Sequence, residues 1–340
     1  MKKLFAATLV VFGLSAAAFG EKDAKELART GTVEEVKAAI AAGTFVVNPE
    51  KGTPPLSDAV IYGNAPVVEY LLASGAKVDT RNRDGRTPLH LAARNRCSTA
   101  VFDALLAAGA DIDVRDNNGM TPLMNAVSGS GAEAFSAAKH LVAKGADLNA
   151  LDKFGRNALH HACDHERVAW LLEQGVKPLA STNGTTAAMS CIDDAESVKL
   201  LLDAGDDANA ATEEGTTALM YAAGHRNPEA AKLLIERGAN VNAASAKGWT
   251  PLIYAARTIN SEILKLFIDR GANVNAKDAS GWTALTHAAA NSQSQHIEPL
   301  LAAGASVGAA FEGAKERQGG VEIRSYMKEY LEEKAASMKK

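Results

Sequence analysis

The residues best suited to chemistry gather in one short segment, His160-His161-Ala162-Cys163-Asp164-His165-Glu166. Imidazole, thiolate and carboxylate groups are the ligands that zinc prefers, and they also serve as general acids and bases. His161 and His165 are four residues apart, so they would share one face of a helix. The same helix would turn His160 elsewhere and Cys163 inward, which leaves no third ligand on that face. We therefore predict no metal site and no cofactor.

Other catalytic motifs are missing from the sequence. It contains neither a glycine-rich phosphate loop nor a Gly-x-Ser-x-Gly nucleophile elbow. Two acid pairs, Asp193-Asp194 and Glu213-Glu214, fall in predicted loops or turns, where solvated carboxylates are expected. The sequence therefore predicts that the chain is not an enzyme, and an enzyme built on His161, His165 and Glu166 is the alternative.

These residues belong to a block of about 33 residues that recurs along most of the chain. The clearest copies read Asp84-Gly85-Arg86-Thr87-Pro88-Leu89-His90-Leu91-Ala92-Ala93 and Gly248-Trp249-Thr250-Pro251-Leu252-Ile253-Tyr254-Ala255-Ala256. A fixed period of this length indicates a stack of small units, each of which buries its apolar face only against its neighbours. The positions equivalent to Leu89 are Leu56, Leu123, Leu159, Ala188, Leu219, Leu252 and Leu285.

Residues 271–304 illustrate the elements expected in one unit. Gly271 suits the left-handed end of a helix. In the turn that follows, Asp278 can bond the backbone ahead of it, and Gly281 permits a positive φ. Thr283 is placed to cap a first helix, and a second helix ends before Gly304. Each unit should therefore hold two short helices and one hairpin-like turn.

The turn glycine, Thr87-Pro88-Leu89-His90, the alanine pair and the late glycine resemble the ankyrin repeat. This resemblance implies an all-α repeat fold, an ankyrin solenoid of helix-turn-helix units with β-hairpin-like turns. It also implies that turns and first helices line a concave face, and that His90 and His160 bond to backbone as structural residues. We expect ankyrin repeats over residues 21–305, about nine units of which the first is degenerate, and C-terminal capping helices over 306–340.

The first 20 residues have the pattern of a cleavable signal peptide. Lys2 and Lys3 precede an apolar run, and small residues follow in Ser15-Ala16-Ala17-Ala18-Phe19-Gly20, so cleavage could follow Ala18 or Gly20. The run is shorter than the roughly 20 residues that a membrane-spanning helix needs. The expectation is an exported protein, periplasmic or secreted, with no stable membrane insertion.

The charge of the chain argues against nucleic acid as a partner. Its 36 Lys and Arg residues face 40 Asp and Glu residues, a formal net charge of −4. Loss of residues 1–20 would remove Lys2 and Lys3 and no acid, and would make the charge more negative. A nucleic-acid-binding protein would instead favour a basic stripe.

The three cysteines offer a second kind of chemistry. The repeat places Cys163 and Cys191 on the first helices of adjacent units, at neighbouring small-residue positions, whereas Cys97 lies two units earlier. Two readings stay open. The cysteines are three small, buried thiols, or Cys163 and Cys191 form a disulfide in an oxidising compartment.

Positions that the repeat does not need for folding are candidates for binding a partner. They flank the turns or lie two residues past the anchor position, and several hold aromatic or arginine side chains, which binding hot spots favour. The arginines gather in the N-terminal units and the aromatics in the C-terminal ones, so a partner with an acidic and an apolar region is expected. The predicted concave-face site consists of Arg81, Arg83, Arg86, Arg115, Met120, Phe154, Arg156, His161, Tyr221, Trp249, Tyr254, Trp282 and His287.

The sequence therefore predicts an exported protein-binding ankyrin module. Its expected partner is another exported protein, such as a cell-wall hydrolase that the chain would inhibit or regulate as an inhibitor or immunity protein. The alternative is an envelope scaffold that supports stress or redox enzymes.

Overall fold

The computed structural model describes residues 22–50, 52–95, 97–291, 293–308, 330–333 and 336–337. The chain divides into two compact units, with the division between Lys153 and Phe154. Over the described residues the secondary structure is helical, with two isolated β-bridges and no strand. The expected all-α repeat fold is confirmed. The predicted signal segment, residues 1–20, and most of the predicted cap over 306–340 lie outside the described residues.

In the first unit, short helices follow one another in pairs. The helices are α1 (Ala24–Thr30), α2 (Val33–Ala41), α3 (Pro55–Ile61), α4 (Ala65–Ala73), α5 (Pro88–Arg94), α6 (Thr99–Ala107), α7 (Pro122–Ser128) and α8 (Ala132–Ala143). The first helices of successive pairs pack against each other, α1 on α3, α3 on α5 and α5 on α7, and the second helices form a parallel series from α2 to α8. The pair α1–α2 occupies the segment expected to hold the degenerate repeat.

The second unit continues the pairing but opens with reduced helices. The α-helices are α9 (His165–Glu173), α10 (Ala187–Ser190), α11 (Ala195–Asp203), α12 (Ala218–His225), α13 (Pro228–Glu236), α14 (Pro251–Arg257), α15 (Ser261–Asp269), α16 (Ala284–Ala290) and α17 (Ser294–Ala302). A 3₁₀ helix, Ala158–His160, stands where a first helix is expected, and the next first helix, α10, is four residues long. Later first helices pack in series, α10 on α12, α12 on α14 and α14 on α16.

The turn chemistry expected for residues 271–304 is confirmed. Gly271 has φ +80° and Gly281 has φ +75°. The Asp278 carboxylate accepts hydrogen bonds from the backbone N–H groups of Ser280 and Trp282, at 2.8 and 2.9 Å. The Thr283 hydroxyl accepts from the Thr286 N–H and caps α16. This turn is therefore fixed by hydrogen bonds from its own side chains.

Hydrogen bonds between backbones join neighbouring turns edge to edge. In the second unit, the Ala279 N–H donates to the Lys247 carbonyl and the Ala246 N–H donates to the Glu214 carbonyl, both at 2.8 Å. In the first unit, the Asn117 N–H donates to the Asp84 carbonyl at 3.0 Å. The turns thus form a continuous edge within each unit, and side chains on that edge are held at a fixed spacing.

Asparagine side chains link the ends of successive second helices. The Asn242 side chain donates to the Gly271 carbonyl at 3.2 Å and accepts from the Asn273 N–H at 2.7 Å. Asn209 bonds the Gly238 carbonyl and the Asn240 N–H in the same way. These amides satisfy backbone groups that a helix end would otherwise leave unpaired.

The shortened helices correct the prediction for the histidine segment. His160 ends the 3₁₀ helix, His161 and Cys163 lie in the connection that follows, and His165 begins α9. His161 and His165 therefore do not share a helical face, and Cys163 is not on a helix. The short connection makes Asp164 the cap of α9, where its carboxylate accepts from the Arg167 N–H at 3.1 Å.

The core of the second unit runs along the small and branched side chains between helices. Leu219, Leu252 and Leu285 are fully buried there, as the anchor positions of the repeat predict. Leu331, from the predicted capping segment, is also buried in this cluster, and Tyr330 packs partly against it.

Candidate functional site

Two of the predicted contact arginines bind the turns of the first unit. The Arg81 guanidinium donates to the Gly85 carbonyl at 2.8 Å and to the Arg115 carbonyl of the next turn at 2.6 Å. Arg115 repeats the pattern, with bonds to the carbonyls of Gly119 and Leu151. A planar guanidinium with several donors suits this bridging of two carbonyls. Both arginines are therefore occupied in holding consecutive turns together.

The other arginines of the first unit differ in their surroundings. Arg86 is half-buried and lies 3.5 Å from the carboxylates of both Asp84 and the buried Asp116. Arg83 is exposed at the tip of the same turn. Met120 follows the next turn and is half-buried. Its backbone carbonyl oxygen lies 3.0 Å from Nε2 of His90. Of Arg83 and Arg86, Arg83 is thus the one with an exposed side chain.

Phe154 begins the second unit as an exposed aromatic side chain. It is 45% exposed, and the Arg156 guanidinium lies over its ring at 4.8 Å. Its carbonyl accepts the Thr182 N–H at 2.8 Å, so the next turn fixes the backbone beneath the ring. His161, half-buried, follows the 3₁₀ helix. Phe154 and Arg156 together present an apolar and a cationic group on one turn.

An aromatic cluster, which comprises Trp249, Tyr254, Trp282 and His287, lies on the later repeats of the second unit. Trp249 meets the Tyr254 ring edge-on with ring centres 5.1 Å apart, and it meets His287 at 5.4 Å. Trp249 and Tyr254 remain half-buried. The Arg257 guanidinium covers the Trp249 ring at 4.6 Å. The partly open rings are therefore held rigidly by one another and by a cation.

The remaining two members of the cluster form its buried floor. Trp282 is 5% exposed and His287 is 6% exposed. Nε2 of His287 lies 2.8 Å from the Asp278 carboxylate, and the imidazole lies 5.1 Å from the Trp282 ring. Trp282 occupies the same turn position as Trp249, yet only Trp249 leaves part of its ring accessible. Trp282 and His287 consequently support the cluster and offer little area to a partner.

A shallow pocket of about 210 Å³ opens beside the accessible half of this cluster. Trp249 and Tyr254 supply its apolar wall, while Glu214 and Lys247 bring opposite charges to its rim. Tyr221 occupies the position equivalent to Tyr254 in the preceding repeat and is half-buried; burial raises the pKa of its phenol. The pocket is lined by Glu214, Thr216, Ser245, Ala246, Lys247, Trp249 and Tyr254.

The pocket includes residues that the sequence analysis did not select. Glu214, Lys247 and Arg257 are charged residues at the edge of the aromatic cluster, and only their proximity to Trp249 distinguishes them from other surface charges. The turn spacing of the repeat marks Glu214 and Lys247 as surface positions, because each immediately precedes a turn glycine, but the predicted contact set leaves them out. No comparable signal exists for Arg257, at the end of α14.

The histidine segment does not assemble a metal site in the part of the chain that the structure describes. No group of three or more His, Cys, Asp or Glu side chains converges there. His160 lies 3.0 Å from the Asn157 side-chain oxygen and 3.1 Å from the Thr185 carbonyl, which agrees with its predicted structural role. His165 approaches Asp194 at 3.7 Å.

The repeat geometry agrees with a comparison with known families. The family model for ankyrin repeats, which spans three copies, matches overlapping segments at residues 26–116, 56–134, 89–182, 131–212, 164–245, 187–278 and 244–310. The chain belongs to the ankyrin-repeat family. Ankyrin repeats are protein-interaction modules and are generally not enzymes.

Two curated proteins illustrate the similarity. The nuclear factor NF-kappa-B p105 subunit of Gallus gallus is 34% identical over 174 residues, which are 50% of this ankyrin chain and 15% of the chicken protein. A transient receptor potential cation channel subfamily A member 1 homolog of Caenorhabditis elegans is 39% identical over 69 residues, 20% of this chain and 6% of that protein. The matches cover far less than two thirds of either relative.

The helices described here are short. None of those within the described ranges has both the length and the apolar composition that crossing a bilayer requires.

Proposed function

We propose that this ankyrin protein binds a partner polypeptide at the pocket beside Trp249 and Tyr254. The single observation that carries the proposal is the partly open, rigid aromatic wall with charges of both signs at its rim. Aromatic side chains that are already ordered lose little entropy on binding, and rims of mixed charge orient a partner. The segment recognised would insert one apolar side chain and pair polar groups with Glu214 and Lys247.

Further contacts are proposed at the exposed Phe154 and the half-buried Arg156 in the second unit, and at the exposed Arg83 in the first. Arg81 and Arg115 already donate to backbone carbonyls, so their replacement would disturb the turns as well as any contact. Acidic groups of the partner would meet Arg83 and Arg156. The proposed contacts therefore leave out Arg81 and Arg115 and keep Arg83, Phe154 and Arg156.

The finer function that we propose is inhibition or regulation of an exported enzyme, such as a cell-wall hydrolase. The support for export is the charged, apolar and small-residue pattern of residues 1–20. The support for regulation is that a protein-interaction repeat without a recognisable catalytic motif acts through its partner. Inhibition of the recovered partner by the purified chain would distinguish regulation from scaffolding.

A site-specific crosslinking experiment tests the binding surface. A photoreactive phenylalanine replaces Tyr254 in one variant and the exposed Lys232 of α13 in a matched control. A partner should crosslink at position 254 and not at 232. Equal yields at both positions, or crosslinks at 232 alone, would contradict the proposed surface.

A mutation then measures the strength of the contact. Tyr254→Ala should weaken binding of the crosslinked partner by roughly 1–3 kcal/mol, because a central aromatic side chain is lost. Isothermal titration calorimetry with the purified partner provides the dissociation constants. A dissociation constant that is unchanged within error would show that Tyr254 does not contribute to binding.

A further inference from the structure

We propose that Cys163 and Cys191 form a reversible redox site, in which the two thiols oxidise to an intramolecular disulfide that ties the two shortened repeats of the second unit together. In the structure both are free thiols. Nothing in the proposed partner-binding surface requires them. The proposal therefore stands independently of the partner.

The distance between the two sulfur atoms carries the proposal. Sγ of Cys191 lies 3.0 Å from Sγ of Cys163. A disulfide needs about 2.05 Å, so a movement of about 1 Å would bring the sulfurs to bonding distance. The neighbouring acceptors are main-chain carbonyls, with Ser190 O at 3.3 Å from the Cys163 sulfur and Ala162 O at 3.7 Å from the Cys191 sulfur.

The shortened helices explain why the two thiols meet and why they can move. In a regular repeat these positions hold buried alanines on a first helix, such as Ala255 and Ala256 on α14. Here the 3₁₀ helix has ended at His160, so Cys163 belongs to a non-helical connection. A shift of its backbone therefore breaks no helical hydrogen bond. Cys191, at the end of α10, supplies the fixed half of the pair.

The two thiols differ in exposure and in the direction of their pKa shifts, and these differences assign each thiol a role in the oxidation. Cys163 is exposed and Cys191 is buried. The pKa of Cys163 is lowered chiefly by the hydrogen bond from the Cys191 thiol, against burial and the charges of Asp164, Asp193 and Asp194. The same hydrogen bond and burial raise the pKa of Cys191. Cys163 is accordingly the attacking thiolate, and Cys191 the thiol that resolves the intermediate.

With hydrogen peroxide as the oxidant, the chemistry balances in two steps. The Cys163 thiolate attacks one peroxide oxygen, the O–O bond breaks, and the hydroxide released takes up a proton as water, which leaves a sulfenic acid. The Cys191 sulfur then attacks the sulfenic sulfur, and its proton leaves with the hydroxyl group as a second water. The two thiols lose two electrons and two protons in total, and the peroxide is reduced to two waters.

The bond would span 28 positions of sequence and restrict the unfolded chain. Such a loop closure stabilises the folded state mainly through the unfolded ensemble. We expect the oxidised second unit to melt roughly 5 °C or more above its reduced form. A reductant should restore the original melting temperature.

The test oxidises the full-length protein with equimolar hydrogen peroxide, blocks remaining thiols with an alkylating agent and maps the peptides by mass spectrometry. Cys97→Ser is the matched control, because Cys97 is buried apart from the pair, its thiol donates to the Val60 carbonyl at 3.0 Å, and burial raises its pKa to about 11. The wild type and this control should each lose the mass of two hydrogens and yield a peptide that links positions 163 and 191. Cys163→Ser and Cys191→Ser should not.

Several results would overturn the proposal. They are a disulfide between two copies of the chain, over-oxidation of Cys163 while Cys191 remains alkylatable, and three alkylated cysteines in the peroxide-treated wild type. If the melting temperature of the oxidised protein does not rise, the proposal that the disulfide joins the two repeats is contradicted. The alkylation result uses only the wild type, so it holds even if a serine variant folds poorly.

Discussion

His90 shows how a side chain of the repeat motif is committed to structure. Its Nε2 lies 3.0 Å from the Met120 carbonyl, so Nε2 carries the hydrogen and donates it. Nδ1 can then accept the Thr87 N–H at 3.2 Å. Burial lowers the pKa of His90, although the Met120 carbonyl and the charge of Asp116 act in the opposite direction. Protonation would remove the acceptor and place a charge in the interior.

His296 on α17 is also buried, and burial lowers the pKa of its imidazole. Unfolded histidine binds a proton near pH 6.5, while these folded histidines resist protonation. The contribution of the two neutral histidines to the free energy of unfolding is therefore complete above about pH 6.5. It is lost as the pH falls towards the pKa of the folded state. His296→Leu should reduce the fall in unfolding free energy between pH 7.5 and 5.5, by at most about 1.4 kcal/mol per pH unit.

Urea unfolding of the wild type and of His296→Leu across this pH range checks the prediction. Burial raises the pKa of Asp58 and of Asp206, so these groups act in the opposite sense and their stabilisation disappears as the pH rises through their folded pKa. Only the difference in unfolding free energy between the wild type and His296→Leu isolates the contribution of His296. Superimposable pH profiles would show that His296 does not contribute.

At the scale of the element, the turn glycines serve two separable purposes. Gly248 has φ +72°, and a Cβ there would lie 2.9 Å from Cα of Asp278 in the next turn. Gly271 has a similar φ of +80°, but a Cβ would meet nothing within 4 Å. Comparison of the two positions therefore separates backbone conformation from the close approach of neighbouring turns.

We expect Gly271→Ala to cost about 1 kcal/mol of unfolding free energy through its conformation alone. Gly248→Ala should cost about 1–3 kcal/mol more, because the adjacent backbone must also move. Chemical unfolding of both variants measures the difference. Equal losses would mean that the turns can separate without cost.

The asparagine links make a second prediction for the elements. Asn242→Ala removes an amide that bonds two backbone groups of the next repeat, and it should cost about 1–3 kcal/mol. Asn149→Ala is the matched control at the equivalent position of an earlier repeat, since its exposed side chain makes no hydrogen bond within the described ranges. Its unfolding free energy should change by less than about 0.5 kcal/mol. Similar losses in the two variants would contradict a specific role for the link.

The sequence predicted the turns and caps well because their chemistry is local. Asp278, Gly281 and Thr283 act on backbone within a few residues, so the residue type alone defines the bond. The shortened 3₁₀ helix was missed because the spacing of Leu159 and the following apolar positions resembles a full helix. The competing event is the capping of α9 by Asp164, which ends the preceding helix early.

The predicted site was harder to resolve from sequence. Arg81 and Arg115 look like free contact residues because carbonyl groups of a neighbouring turn leave no mark in the sequence. Trp249 and Trp282 share one motif position, and their different exposure depends on what packs beyond each turn. The extent to which neighbouring repeats bury a side chain, rather than its residue type, decides whether it supports the fold or can contact a partner.

At the scale of the molecule, stability depends on contacts between neighbouring repeats. Leu219 of α12 is fully buried, and α12 packs on α10 and α14. Leu219→Ala should cost roughly 2–5 kcal/mol and leave the pocket residues in place. Tyr254→Ala should show the reverse, a loss of binding with little change in thermal unfolding.

Hydrogen exchange followed by mass spectrometry checks the spread of this effect. Leu219→Ala should accelerate exchange in α10, α12 and α14, because each repeat is stabilised by its neighbours. Helices α3 and α5 of the first unit provide the internal reference. Uniform acceleration in all five helices would indicate a single cooperative unit instead.

The thiol pair has a mechanical consequence. A chain pulled from its two ends lengthens by about 3.4 Å for each residue released. A disulfide between Cys163 and Cys191, which are 28 positions apart, would keep the residues between them in a closed loop that cannot be extended. Stretched by optical tweezers, the oxidised chain should therefore stop roughly 90 Å short of the reduced one, because the bridge itself spans only about 5.5 Å, and the final contour length would report the redox state.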